Sequence, residues 1–543
     1  MTTVAAPLPV RTARTRQLAG TGTLLRLALR RDRVLIPAWV LGLGVVVAGT
    51  GSSFEVLYDT TARRAALAVS MNANGSMRAL YGPVFGDSVG GLVAWRMAGF
   101  GAALAAVMSL LIVVRHTREE EETGRQELLC AGAVGRRAPL TAALLTALLA
   151  DAALAVVIAG SLAGSGRPAA GSLALGLGIG ATGLLFAALA AVTAQLTESA
   201  RLAKGLAGAV LGLAFALRAA GDAGATSPLT WASPLGWPQQ LRAFAGERWW
   251  PLGLFVAATA LVVAVAHALT ARRDLGMSFL PARPGPARAP RSLSGPLGLA
   301  WRLQRTTLAG WTLGFLCAGG IFGGLAKGAS DLVGGNARTR EIVARMGGQQ
   351  DLTDAFLATM AGLLGMVAAL FAVGAVLRLH GEESAGRAEP VLAGAVGRLR
   401  WAAGHLALAF GGGAVILAIG GLALGLSYGV SAGDPLGRTG PVLAATLAQA
   451  PAVWTLTGLA VLVLGLLPKA TGAVWALVGG CLALGWVGPS LDLPRWAMDL
   501  SPYSHLPKLP GTEATAAPLL WLLALSALFT AAGLVGLRRR DLG

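Results

Sequence analysis

Apolar residues in this chain fall in long blocks, and charged residues gather in the short stretches between them. Val34 to Gly51, Leu92 to Val114, Thr141 to Gly164, Pro251 to Thr270, Ala355 to Leu377 and Pro518 to Leu537 each approach the length a helix needs to cross hydrocarbon, about 20 residues. The blocks are built from Ala, Leu, Val and Gly without the period-2 alternation of a barrel strand, so their backbone groups must be satisfied within helices. The pattern predicts about twelve spans, at 34–52, 92–114, 141–164, 169–194, 205–220, 251–270, 306–326, 355–377, 401–425, 441–466, 471–488 and 516–537, with the weakest signal in the fifth and eleventh. Composition agrees: 55% of residues are hydrophobic and 13% charged, with a mean hydropathy of +0.65, where a soluble domain carries about 25% charge. The expected fold is an all-α integral membrane protein.

A net charge of +18 raises the question of a nucleic-acid partner, but the sequence offers no soluble basic domain to carry one. The charge is a topology signal instead. With the N-terminus in the cytoplasm, most Lys and Arg fall in cytoplasmic segments, which predicts a multi-pass protein of the cytoplasmic membrane with both termini inside. Arg272, Arg273 and Arg538 to Arg540 then serve as cytoplasmic anchors, and the Arg-rich ends suit the anionic headgroups of membrane lipid. The first apolar run is long enough to span and lacks a clear cleavage site, so an uncleaved first span is expected in preference to a signal peptide. Before it, Leu18, Leu25 and Leu29 share one helical face and Arg26, Arg30 and Arg33 another, which fits an amphipathic helix on the inner leaflet. Leu297 to Arg305 occupies the matching place later in the chain. Cys130, Cys317 and Cys481 imply no disulfide framework.

The most informative feature is an internal repeat. Residues 120–136 read Glu-Glu-Glu-Thr-Gly-Arg-Gln-Glu-Leu-Leu-Cys-Ala-Gly-Ala-Val-Gly-Arg, and 11 of these 17 positions are identical in residues 382–398. Weaker echoes follow in the same order: Trp39 to Gly42 with Trp311 to Gly314, Ser233-Pro234 with Ser501-Pro502, and Arg272 to Gly276 with Arg539 to Gly543. All are offset by 262 to 272 residues, so the chain is a duplicated unit of about six spans. Six being even, the halves enter from the same side as parallel repeats. The organisation expected is a basic amphipathic segment (1–33), a first six-helix half (34–270) with a loop at 115–140, a Pro/Arg-rich linker and pre-span segment (271–305), a second half (306–537) with a loop at 378–400, and a short tail (538–543). A plain connector needs only polarity. Two loops that keep the same charged text while the spans around them drift suggest a docking surface.

These features together resemble the type-2 ATP-binding-cassette exporter permeases, and within them the actinobacterial tetronasin-resistance-type group of polyketide antibiotic exporters. The resemblance covers nearly the whole chain. It implies that the loop after the second span of each half carries a coupling helix that docks on a separate ATPase subunit, two copies in all, and that ATP and Mg sit on that partner. By position, Glu120, Glu121, Gly124, Arg125 and Glu127 would form one contact, and Glu382, Glu383, Gly386, Arg387 and Glu389 the other, with Pro390 in place of Leu128 shifting the start of the second helix. It further implies outward transport of a hydrophobic or amphipathic small molecule, and short re-entrant or interfacial helices on the outer side, for which Thr230 to Trp250 and Trp486 to Pro510 have suitable aromatics and prolines. Aromatics at the headgroup level are equally common without re-entry.

The chain itself supplies no motor. None of Lys204, Lys327, Lys469 and Lys508 follows a Gly as a phosphate-binding loop requires, and the five histidines form no metal-ligand spacing, so no enzyme activity, cofactor or metal is expected. The candidates for a transport path are the polar groups within spans, Arg96 and Asp151 above all, with Arg218 and His267. Their adjacent spans suggest that Arg96 pairs with Asp151, whereas Arg218 reads as snorkelling at an outer span end. Gly176-Leu-Gly-Ile-Gly180 and Gly421-Leu-Ala-Leu-Gly425 are spacings that let helices approach closely. Two other classes stand as alternatives: a proton-coupled drug antiporter, which also fits the six-plus-six span count and has Asp151 as proton carrier, and a membrane-embedded enzyme or scaffold. The Glu-rich loop and the lack of clustered catalytic groups speak against them.

Overall fold

The computed structural model describes residues 17–224, 228–274, 276–280, 287–293, 295–333, 352–487, 494–510 and 515–540. Among them all regular structure is helical. The chain divides into two compact units, residues 1–285 and 286–543, with the division inside the expected linker.

The first unit runs through α1 (Thr21–Arg31), α2 (Leu35–Leu57), α3 (Thr61–Ala73), α4 (Gly75–Tyr81), α5 (Val89–Arg115), α6 (Arg118–Glu122), α7 (Arg125–Cys130), α8 (Ala138–Gly164), α9 (Ala169–Leu196), α10 (Ala200–Ala223), α11 (Pro228–Ala232), α12 (Trp237–Gln240) and α13 (Trp250–Arg272). Six of its helices are long and apolar enough to cross a membrane. The weak fifth span is one of them, and it is longer than the expected 205–220 because its polar ends continue the helix from Ala200 to Ala223. Helix α9 lies at the centre of the unit and packs on α5, α8, α10 and α13. Its glycines make this possible: a Cβ at Gly176 would stand 2.5 Å from the Ala155 carbonyl oxygen of α8, and one at Gly180 would stand 2.8 Å from that of Asp151. Between helices in lipid, close van der Waals packing of this kind replaces the hydrophobic drive.

The second unit runs through α14 (Pro296–Val333), α15 (Leu352–Ser384), α16 (Glu389–Leu392), α17 (Arg398–Ala432), α18 (Pro435–Leu447), α19 (Ala450–Leu466), α20 (Ala473–Val487), α21 (Arg495–Met498) and α22 (Ala516–Arg539). Among the described residues it has five long apolar spans, the fourth formed by α18 and α19 together. The chain breaks between these two at Ala448-Gln449, where Pro451 opens α19, since a proline has no N–H to continue a helix. The expected eleventh span at 471–488 is the shorter apolar helix α20, so among the described residues the twelve expected spans become eleven long helices and one short one. Helix α17 is central and packs on α14, α15 and α18, with Gly421 against Thr446 and Gly425 against Thr439.

The pre-span segments differ between the units. In the first, α1 ends at Arg31 and the chain turns through Asp32 to Val34 before α2 starts. In the second, Leu297 to Arg305 is not a separate interfacial helix but the first part of the continuous α14.

Candidate functional site

Loop 115–140 leaves the end of α5 and makes two short helices, α6 and α7, joined at Gly124. Gly124 has φ +72 with nothing within 4 Å of where a Cβ would lie, so it is the backbone conformation that requires glycine and not a lack of space. The four glutamates that open the loop bond three parts of the unit, two of them reaching the same helix. Glu119 pairs with Lys204 of α10, and the Glu122 carboxylate accepts the Ala200 N–H at the start of α10, 3.0 Å away. Glu120 bridges Arg31 of α1 and Arg125, whose Nε lies 2.9 Å off. Glu121 is buried between Arg118 and Arg273: Arg273 donates to Oε1 at 2.5 Å and to Oε2 at 2.8 Å, just past the end of α13. From the far end of the loop, Arg136 donates to the Arg273 carbonyl at 2.5 Å.

Of the five sequence candidates here, Glu120, Glu121 and Arg125 are therefore engaged within the unit. Glu127 is exposed in the first turn of α7, next to Leu128, which is 78% exposed. Beneath α7 a cavity of about 470 Å³ separates it from α1 and α8, with Leu24, Leu27, Arg31, Glu120 and Leu129 among its walls. Asp32, buried in the turn after α1, meets His116 at 2.6 Å and Arg115 at 3.3 Å. Burial pushes its carboxyl up, but the His116 hydrogen bond and the charges of Arg115 and Arg31 outweigh this and hold it below the usual carboxylate range.

The second loop repeats the essentials. Gly386 has φ +68 at the matched place. Arg387 donates to Glu382 at 2.8 Å, as Arg125 does to Glu120. Arg540, the counterpart of Arg273, pairs with Glu383, the counterpart of Glu121. Arg398, the counterpart of Arg136, donates to the Arg540 carbonyl at 2.6 Å. Glu389 and Pro390 are exposed. Helix α16 starts at Glu389, two residues later than the position matched to the start of α7, with Pro390 in its first turn, as the substitution predicts. Arg273 and Arg540 were legible only as anchors; the Arg-Arg-Asp-Leu-Gly echo was the signal that they do more.

The intramembrane candidates do not assemble as expected. Asp151 of α8 is buried, and both its carboxylate oxygens accept from Ser109 Oγ of α5 at 2.8 Å. Gly183 of α9 leaves the room that the carboxylate fills. Arg96 is exposed and lies over the Tyr81 ring, 5.0 Å from its centroid. Its position on α5 is 13 residues from Ser109, about 20 Å along the axis, so the expected Arg96–Asp151 pair does not form. Arg218 is also corrected: it is fully buried and does not snorkel. Its guanidinium donates to the carbonyls of Ala79 and Leu80 at 3.0 and 2.7 Å and faces Asp222 at 3.4 Å, because α4 and the segment 228–249 fold over that end of α10. His267 is half-buried on α13.

At this opposite end of the unit the Trp-rich segment enters the bundle. Leu235 and Leu241 are fully buried, and Leu241 packs on Gly178 of α9. Ser233 Oγ donates to the Ala214 carbonyl of α10 at 2.6 Å. The second unit matches this contact: Ser501 Oγ donates at 2.8 Å to the carbonyl of Cys481 on α20. Of the candidate segment from Trp486 to Pro510, residues 488–493 lie outside the described residues.

Comparison with known proteins agrees with this duplicated architecture. The family described as "Multidrug efflux system permease Rv1217c, C-terminal domain" matches residues 22–270 and residues 293–538, stretches that begin at or near α1 and α14 and so include the pre-span segments. The multidrug efflux system permease protein Rv1217c of Mycobacterium tuberculosis (strain ATCC 25618 / H37Rv) is 46% identical over 523 residues, 96% of this chain and 95% of that protein. Two matched bundles of apolar helices, with these similarities along nearly the full length, make the chain a multi-pass membrane protein that belongs to the Rv1217c family of multidrug efflux permeases.

Proposed function

We propose that this chain is the permease subunit of an ATP-binding-cassette exporter that moves hydrophobic or amphipathic, drug-like molecules outward, close in type to the tetronasin-resistance exporters. It lies in the cytoplasmic membrane with both termini inside. Loops 115–140 and 378–400 are its coupling loops, each seated on one copy of a separate ATPase that holds ATP and Mg; this chain hydrolyses nothing itself. The observation that carries the reading is the matched loop geometry. In both halves the first glutamates turn inward to the permease, while Glu127 with Leu128, and Glu389 with Pro390, face outward on a short helix. A loop braced from behind with a charged and apolar tip in front is suited to receive force from a partner.

Copurification of the tagged full-length chain from its native membrane tests this directly, and recovery with a bound ATPase is expected. Glu127→Arg with Glu389→Arg lowers that recovery by roughly tenfold without loss of membrane insertion. Transport is stopped by vanadate and indifferent to a proton uncoupler. The reverse pattern would overturn the proposal.

One observation favours a second reading, a proton-coupled antiporter: Asp151 is a buried carboxylate whose hydrogen bonds both come from one hydroxyl. Asp151→Asn discriminates. It abolishes transport if Asp151 carries the proton, and leaves ATP-driven transport standing if Asp151 only packs α5, α8 and α9 together.

A further inference from the structure

In each half, a single residue just past or at the end of the last span is gripped from both ends of the coupling loop. Glu121, at the start of loop 115–140, holds the Arg273 side chain, and Arg136, at its end, holds the Arg273 carbonyl. Arg118 fastens the same corner, meeting Glu121 and donating at 3.3 Å to the carbonyls of Gly276 and Met277. In the second half, Glu383 and Arg398 grip Arg540 in the same two ways. Three matched residues in each half make two matched contacts, with the ion pairs largely shielded from solvent: Arg273 and Glu121 are 5% and 6% exposed, Arg540 and Glu383 14% and 13%.

We infer that Arg273 and Arg540 are positioning residues that lock each coupling loop to the last span of its own half, so that loop and last span move as one body. The inference rests on the proposed coupling role of the loops and adds the route the motion takes. By covalent connection a coupling loop passes its displacement to the spans on either side, α5 and α8 in the first half. The clamp adds α13, which is remote in sequence and contributes little buried surface of its own. An ion pair is well suited to the task, because separating two shielded, hydrogen-bonded charges costs far more than sliding apolar faces past one another. The clamp also accounts for the retained Arg-Arg-Asp-Leu-Gly text at the end of each half, since the second arginine of that run is the gripped residue in both.

The test uses spin labels on the purified full chain in lipid nanodiscs. One label replaces exposed Glu127 and the other exposed Arg272, giving the distance between loop tip and last span; positions 389 and 539 report the same for the second half. The wild-type background gives one narrow distance distribution. Arg273→Gln broadens it in the first half and Arg540→Gln in the second, while the swapped pair Glu121→Arg with Arg273→Glu narrows it again. With the copurified ATPase present, each clamp variant still binds the ATPase, but molecules moved per ATP hydrolysed fall by about tenfold, and the swap restores the ratio. A distribution that stays narrow in Arg273→Gln and Arg540→Gln overturns the clamp, as does an unchanged transport-to-hydrolysis ratio. Failure to recover any ATPase would overturn the coupling reading instead, and the distance measurement on the chain alone keeps the two failures apart.

Discussion

The two halves hold matched loops with unequal resources. In the first, four successive glutamates tie the loop to α1, α10 and the end of α13, and Arg118 completes a buried cluster around Glu121. In the second, Gly381 and Ser384 stand where the first half has Glu119 and Glu122, leaving Glu382 and Glu383 as the acidic ties. Both halves keep the Glu–Arg pair within the loop, the left-handed glycine and the clamp on the last span. What survives in both copies marks the shared requirement, and what differs shows that one loop is held more firmly than the other.

Several substitutions would sharpen or break that contrast. The largest effect is expected at Glu121. Glu121→Gln strands Arg118 and Arg273 in a buried site and costs about 3 kcal/mol, whereas Glu383→Gln, at a less buried pair with no third member among the described residues, costs about 1–2 kcal/mol. Thermal unfolding of the detergent-solubilised protein reads the difference, and equal losses would remove the asymmetry. Next comes helix packing. Gly176→Val forces α9 off the α8 backbone and costs about 2 kcal/mol or more, and Gly421→Val, which meets the Thr446 side chain instead, costs less. Ser233→Ala and Ser501→Ala should each cost about 1 kcal/mol through the lost bond to a helix carbonyl, with Ser233→Ala the costlier because its Oγ also accepts the Leu235 N–H at 3.2 Å; equal values would show that this second contact adds nothing. The smallest effect concerns Asp32, whose matched residue is Gln304. Its folded carboxyl lies below the ordinary 3.8, so the stability it adds is complete above that value and is lost as the pH falls through the lower folded value. The stability gap between wild type and Asp32→Asn should narrow only in that acid range, with no such trend for Gln304→Ala.

Much of this was legible in the sequence. The spans came from block length, and the duplication from a 17-residue text whose glycines, arginines and glutamates recur in place. The small-residue spacing at Gly176 and Gly180 is a close helix contact as its pattern suggested. The partners of the charges were not legible, because Glu121 meets a residue 152 positions away and nothing local selects it. The Arg96–Asp151 pairing failed for a related reason: adjacent spans establish proximity but not depth, and depth follows helical register. The continuity of α14 was hidden because Leu297 to Arg305 has the polarity of an interfacial helix but no residue that must stop it before the span. In the first half, the chain leaves α1 through Asp32, whose buried carboxylate meets His116 and Arg115 at the end of α5.

Fusion of the two copies into one polypeptide changes what evolution can do with the clamp. In a homodimer assembled from identical chains every substitution arrives twice, so neither loop can be altered alone. Here Leu128 has become Pro390 in the other copy, and the two short helices begin at different points. Each loop can therefore be inherited, tuned or damaged independently of its twin.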